Sequence, residues 1–319
     1  MKYIRLKTTD PYYNLAVEEY LFKTADDDVF MLWQNDNTVV VGKNQNVYAE
    51  VDLEYAKRNN VKISRRITGG GAVYHDLGNI NYSFITTTEK ATALNYEIFT
   101  KPIIDAIAAL GLKCELSGRN DIECEGRKIS GNAQYSANGR ILHHGTLLFN
   151  ANVDVMSAVL KVDKEKLEYK AVKSHKSRVI NIVELLNEKI SAEDFINHVE
   201  NFVLSQFGAE IFTVDENEGI IELYNRNRDD EWIYSTKQYL TNYTVHKRKK
   251  YPFGVVDIEM KLTKDVIEDI VISGDFFGIL DIKELERFLI GKSLSNLPYF
   301  NVSSYIDKMT FEEFFGLIK

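Results

Sequence analysis

Residues 65 to 79 read RRITGGGAVYHDLGN. Three consecutive glycines follow two arginines and precede a histidine–aspartate pair. Residues 61–66 carry the apolar content of a strand leading in, and residues 80–86 that of a strand leading out. A turn needs one or two glycines to supply positive φ. A third gives up its side chain for another reason. Bare backbone lets a ligand lie close, and its free N–H groups form a concavity for an anion. Arg65 and Arg66 add positive charge beside it, His75 and Asp76 add polar ends, and Asn79 and Asn81 add amide donors. No Gly-Lys-Ser/Thr follows at Walker spacing, and the G-x-G-x-x-G pattern is absent too.

Around this stretch the periodicity predicts helices over residues 14–25, 53–59, 95–110, 191–207 and 215–228. In the third of these, Tyr96, Phe99, Ile103, Ile107 and Leu110 recur at helical spacing, and Gly111 stands where a C-terminal cap belongs. Apolar runs at 29–33 and 38–42 flank QNDN, a hairpin signal. Short strands are expected at 113–116, 121–124, 128–130 and 141–150. Near residue 245 the pattern changes. His246 to Lys250 form a charge run that fits a linker or an edge, followed by alternating strands at 256–262 and 267–273 and helices at 282–289 and 311–317. The boundary falls between about 240 and 252, giving units 1–245 and 246–319. Strands and helices intersperse without a βαβ rhythm, so the expected class is α+β with a mixed or antiparallel sheet.

The totals bound the function. The chain has 319 residues, 45% hydrophobic, which allows about two buried cores at roughly 150 residues each. Acidic residues outnumber basic ones 47 to 39, a net charge of −8, which argues against nucleic acid as a partner. Two cysteines, Cys114 and Cys124, make no disulfide framework, so a reducing compartment is expected. The N-terminus lacks the apolar run of a signal peptide, and no stretch approaches the ~20 apolar residues of a membrane span. A cytoplasmic, monomeric protein without a membrane partner is the expectation.

A second constellation spans residues 117–149. Asp121 stands behind Gly118-Arg119-Asn120, as a turn or cap residue or as a magnesium ligand, since Mg²⁺ takes one or two carboxylates and leaves its other positions to water and phosphate. Lys128 precedes Ser-Gly-Asn; a strand lysine there can aim its ammonium at a reacting centre and neutralise both a carboxylate and a phosphate. His143 and His144 lack a third ligand at zinc spacing and read as packing.

RRITGGGAVYHDLGN, RKISGNAQ and HHGTLLFN, in this order, resemble the lipoate–protein ligase A family of the biotin/lipoate ligase superfamily. DPYYNLAVEEYLF, NDNTVVVGKNQN and KAVKSHKSRVINI extend the resemblance over roughly residues 10 to 190. It implies a large catalytic domain related to biotin ligases and a small α+β C-terminal accessory domain that moves during the cycle. It also implies the reaction: lipoate and ATP, with Mg²⁺, give lipoyl-AMP, and the lipoyl group passes to a lysine of an apo-acceptor, such as an E2 lipoyl domain or the glycine-cleavage H protein. Carried over by position, Lys128 contacts the acyl carbonyl and α-phosphate. Arg66, Gly69, Gly70, Gly71 and His144 line the lipoyl pocket. Ala72, Val73, Tyr74 and His75 meet the nucleotide, Asp121 holds Mg²⁺, and the loop from Lys170 to Arg178 orders over the adenylate.

Two rivals remain. An octanoyl or lipoyl transferase of the superfamily would use a cysteine thioester, but Cys114 reads as a small buried thiol and Cys124 has no histidine nearby. A non-catalytic lipoyl-AMP-binding protein would not need Lys128 and Asp121. The biotin-ligase loop GRGRxGR is absent. The run His246–Lys250 reads as solvated linker, or as a positive patch that steers an acidic acceptor.

Overall fold

The computed structural model describes residues 1–161, 178–234 and 243–319. In chain order its strands are β1 (Lys2–Arg5), β2 (Val29–Trp33), β3 (Thr38–Val41), β4 (Lys62–Arg65), β5 (Val73–His75), β6 (Asn79–Thr87), β7 (Cys114–Ser117), β8 (Asp121–Cys124), β9 (Arg127–Ala137), β10 (Arg140–Leu148), β11 (Glu210–Ile211), β12 (Val245–Tyr251), β13 (Gly254–Thr263) and β14 (Val266–Gly274). They form an eight-stranded sheet, β11-β1-β2-β6-β10-β9-β8-β7, and two three-stranded sheets, β4-β3-β5 and β12-β13-β14. The large sheet is mixed: β1 runs parallel to β2 and β11, and the remaining pairs are antiparallel. The α+β expectation therefore holds.

The hairpin expected around QNDN does not form. All five residues of β2 are buried, and β1 and β6 occupy both its edges, so β3 has no edge to pair with. The chain instead turns at Asn37, in the left-handed region at φ 42°. The Asn37 amide donates to Asn59 O and Asn60 O, which seats β3 beside β4 in the second sheet.

The first helix, Pro11–Thr24, starts three residues before the expected position. Asp10 caps it by accepting from the N–H groups of Tyr12 and Tyr13, and Pro11 fills the first turn, where a missing donor costs nothing. Leu15, Leu21 and Phe22 pack inward as expected. The helix Glu97–Ala108 puts Phe99, Ile103 and Ile107 into the core beneath the large sheet, and Gly111 follows at φ 87°. Residues His246–Lys250 lie in β12, an edge strand rather than a linker. Behind that strand a separate core gathers Val256, Ile258, Leu285 and Phe314.

Arg65 explains why the two small strands β3 and β4 stay together. Its side chain is buried, and the guanidinium donates to five carbonyls: Gly42, Lys43, Gln45, Trp232 and Ile233. It therefore does not add charge beside the glycine concavity, as the sequence suggested. Strand alternation turns it to the opposite face from its neighbour Arg66. Replacing Arg65 by Met removes the donor that these carbonyls share; Gly42 O keeps the Gln45 N–H at 3.1 Å, and each buried acceptor left unpaired costs ~1–3 kcal/mol. The Arg65→Met chain is expected to lose at least about 3 kcal/mol in a urea titration.

Candidate active site

A cleft of about 640 Å³, mouth included, opens between the large sheet and the β4-β3-β5 sheet. One wall is the glycine stretch, and the other is β9 with β10. The apolar floor includes Leu15, Trp33, Val40 and Ala133.

Arg66 shapes the glycine wall. It is 6% exposed, and its Nε donates to Thr68 Oγ1 at 2.9 Å, Nη1 to Val40 O at 3.1 Å, and Nη2 to Gly69 O and Gly71 O at 2.7 and 2.8 Å. Burial lowers its pKa to about 10, so it stays charged at neutral pH. The three glycines do different jobs. A Cβ on Gly69 would lie 2.6 Å from Phe276 O, and Gly70, at φ 89°, has the Phe277 ring 3.0 Å from its Cβ position. These two make room for the C-terminal unit. A Cβ on Gly71 would meet nothing within 4 Å. Gly70 and Gly71 line the cleft; Gly69 does not.

Strand alternation sorts the next residues. Ala72, Val73 and His75 line the cleft, while Tyr74 turns away, buried, with its hydroxyl donating to Asn37 Oδ1 at 3.0 Å. The Asn35 amide meets His75 Nδ1 at 3.2 Å, which leaves the proton on Nε2. That Nε2, like Nδ2 of the neighbouring cleft residue Asn81, is buried without a hydrogen-bond partner. Two unpaired donors beside the cleft call for an acceptor-rich ligand.

Opposite, the register Asp121↔Gly131 and a bulge between Ile122 and Glu123 bring Lys128 against β8. Lys128 Nζ lies 2.7 Å from Asp121 Oδ1, both side chains about one-third exposed. Gly131 makes the space: a Cβ there would stand 2.9 Å from Nζ. The donor set suits Mg²⁺ only as a single carboxylate, Asp121, with the remaining positions left to water and phosphate. No group of three His, Cys, Asp or Glu side chains that could hold a metal occurs among the described residues.

His144 sits at the deep end of the cleft. Its Nε2 lies 2.9 Å from Thr68 Oγ1, and its Nδ1 lies 2.9 and 3.1 Å from the two oxygens of Glu18. Ser83 Oγ donates to Glu18 at 2.5 Å and accepts from Trp33 Nε1 at 2.9 Å. A buried polar chain thus runs Trp33–Ser83–Glu18–His144–Thr68–Arg66. Sequence reading missed Glu18, Ser83, Thr68 and Trp33. The available signal was Glu18 itself, a carboxylate on the same helical face as Leu15, Leu21 and Phe22. His143 packs as expected, its ring stacked on Phe99 at 4.8 Å. Arg178 is exposed and does not line the cleft, and Lys170 lies outside the described residues.

Residues 10–203 match the model of the lipoyl protein ligase A/B catalytic domain, and residues 241–318 match that of the bacterial lipoate protein ligase C-terminus. The chain belongs to the lipoate–protein ligases. This is an ATP-dependent ligase family. The chain is 39% identical to lipoate-protein ligase LplJ of Bacillus subtilis over 97% of both chains. Its fold is similar to that of LipL1 of P. falciparum, crystallised in complex with lipoate, with a TM-score of 0.78, 24% identity and 99% and 97% of the two chains covered. It is also similar to the bi-partite lipoate protein ligase of Thermoplasma acidophilum, studied with its E2 lipoyl domain, with a TM-score of 0.66, 26% identity and coverage of 76% of this chain and 98% of that one. No helix among the described residues is long and apolar enough to cross a membrane.

The buried imidazoles make this ligase acid-sensitive. Burial, reinforced by Arg66, lowers the His75 pKa to about 3, and burial lowers His143 well below its usual range. In the unfolded chain both titrate near 6.5. Stability is therefore full above about pH 6.5 and falls as the pH drops from there towards 3. At pH 5 the His75 contribution alone is about 2 kcal/mol lost. The melting temperature is expected to fall between pH 7 and pH 5, with a shallower slope in His75→Gln; equal slopes in the two proteins would exclude the assignment.

Proposed function

We propose that this cleft joins lipoate to ATP as lipoyl-AMP and then passes the lipoyl group to a lysine of an apo-lipoyl acceptor domain, of the E2 or glycine-cleavage H type. In this reading residues 1–245 form the catalytic unit and 246–319 the accessory one. The observation that carries the reading is one ammonium, Lys128, held by Asp121 at the polar end of an apolar cleft walled by bare backbone.

The apolar floor takes the acyl chain, with Trp33 and His144 at its deep end, while Gly70 and Gly71 let the carboxylate approach. An oxygen of that carboxylate attacks the α-phosphorus, the bond to the bridging oxygen breaks, and pyrophosphate leaves. Lys128 neutralises the charge that gathers on the carboxylate and phosphate oxygens. Ala72, Val73 and His75 flank the nucleotide, His75 and Asn81 offering their unpaired N–H groups; Tyr74 takes part only through its main chain. Asp121 would hold Mg²⁺, which neutralises phosphate charge. The acceptor amine then attacks the acyl carbon, AMP departs, and the proton passes to solvent. Arg66 and Gly69 act by holding the wall, and Lys170 and Arg178 belong to a segment proposed to cover the adenylate. No cysteine enters any step.

Lipoate-dependent ATP–pyrophosphate exchange tests the first half, and mass spectrometry of apo-acceptors incubated with ATP, Mg²⁺ and lipoate tests the second. Lys128→Ala should lower exchange by about 10²–10³-fold, the effect of losing one preorganised charge donor. Undiminished exchange in that variant would remove the assignment. Gly131→Ala pushes the ammonium aside without unfolding the strand, and should cost about tenfold to a hundredfold in kcat with the melting temperature little changed.

A further inference from the structure

The two cysteines lie outside the cleft and take no part in the reaction, yet they face each other. Cys114 of β7 and Cys124 of β8 are directly opposed partners in an antiparallel pair. Such partners project to one face of the sheet, with Cα atoms about 4.5–5.5 Å apart, inside the span a disulfide bridges. Their thiols adjoin: burial and the neighbouring Cys124 thiol both raise the pKa of Cys114. Both are free, Cys124 buried and donating to Lys113 O at 3.3 Å, Cys114 half-buried. β7 is the outermost strand of its sheet, so small backbone shifts meet no further strand. Asp121, the partner of Lys128, begins β8 on the same hairpin.

We propose that Cys114 and Cys124 form an oxidisable dithiol that closes to a cross-strand disulfide and clamps the β7–β8 hairpin. The oxidant is a small-molecule disulfide. The Cys114 thiolate, the accessible member, attacks one sulfur of it, and the other sulfur leaves as a thiol. The Cys124 thiolate then attacks the Cys114 sulfur of the mixed disulfide and expels the second thiol. One protein S–S bond forms and the reagent S–S bond breaks. Both cysteines are oxidised, the reagent is reduced to two thiols, and those thiols take up the two protons. The low thiolate fraction of a buried thiol makes the first attack slow, so the reduced form persists until the oxidant is sustained.

The test incubates the full chain with oxidised glutathione overnight, then denatures it and counts free thiols. The expected product has none of its two thiols left and a mass lower by about 2 Da, the two hydrogens removed. Its melting temperature rises by several degrees, and dithiothreitol reverses both changes. Cys124→Ala should stop at a glutathione adduct on Cys114, and Cys114→Ala should stay unmodified. A wild-type product that keeps two free thiols, carries glutathione without an internal bridge, or forms only linked dimers overturns the proposal. None of these readings depends on ligase activity, so failure here leaves the proposed reaction untouched.

Discussion

One buried cation sets the shape of the glycine wall of the cleft. Arg66 lies inside the protein, and taking a guanidinium out of water costs several kcal/mol unless its N–H groups are met. The glycine stretch meets them with the carbonyls of Gly69 and Gly71, and β3 adds Val40 O. The loop is thus folded around the cation, and the cation is tolerated because the loop surrounds it. Removing either leaves the other unsatisfied. The same guanidinium reaches Thr68, then His144, then the buried carboxylate of Glu18. The hydrogen bonds of this chain point one way, from the guanidinium through Thr68 and His144 to Glu18, and each strengthens the next in a region of low dielectric.

The facing wall follows a similar logic at the surface. Lys128 carries its counter-ion with it, since Asp121 is its partner at 2.7 Å. In the proposed reaction the ammonium would therefore be placed before any substrate arrives, with little reorganisation left. Glycine again makes the geometry feasible, because Gly131 leaves space for Nζ and Gly145 leaves space for Asn132 and Tyr82. Small residues in these strands answer to specific atoms of their neighbours.

Much of this was legible in the sequence, and the failures have physical reasons. Periodicity located most elements because burial enforces it; the helix Glu97–Ala108 and the strand Asp121–Cys124 are examples. It missed the pairing of β3, because pairing depends on which edges distant strands leave free. It also assigned Arg65 and Arg66 one role. Adjacent strand residues face opposite ways, and here one knits the backbone while the other shapes the cleft. Tyr74 and His75 divide in the same manner. Glu18 was hidden by its surroundings: one carboxylate among apolar neighbours carries no sign of a histidine 126 residues away in the chain.

The C-terminal unit bears on the same loop from outside. Gly70 N–H donates to Phe276 O at 3.4 Å, Gly274 N–H donates to Asn44 O at 2.9 Å, and Lys43 pairs with Asp281 at 2.9 Å. The first bond is long, and a partly exposed ion pair is worth only ~0–1 kcal/mol. The unit meanwhile has a core of its own behind β13. By contrast, among the described residues the Arg66 guanidinium bonds only within residues 40–71. The guanidinium that shapes the glycine wall is thus satisfied from within the large unit, and the small unit adds contacts to that wall from outside through Phe276 and Phe277. That division lets two bare glycines serve as a seat for Phe276 and Phe277 while the third stays open to the cleft.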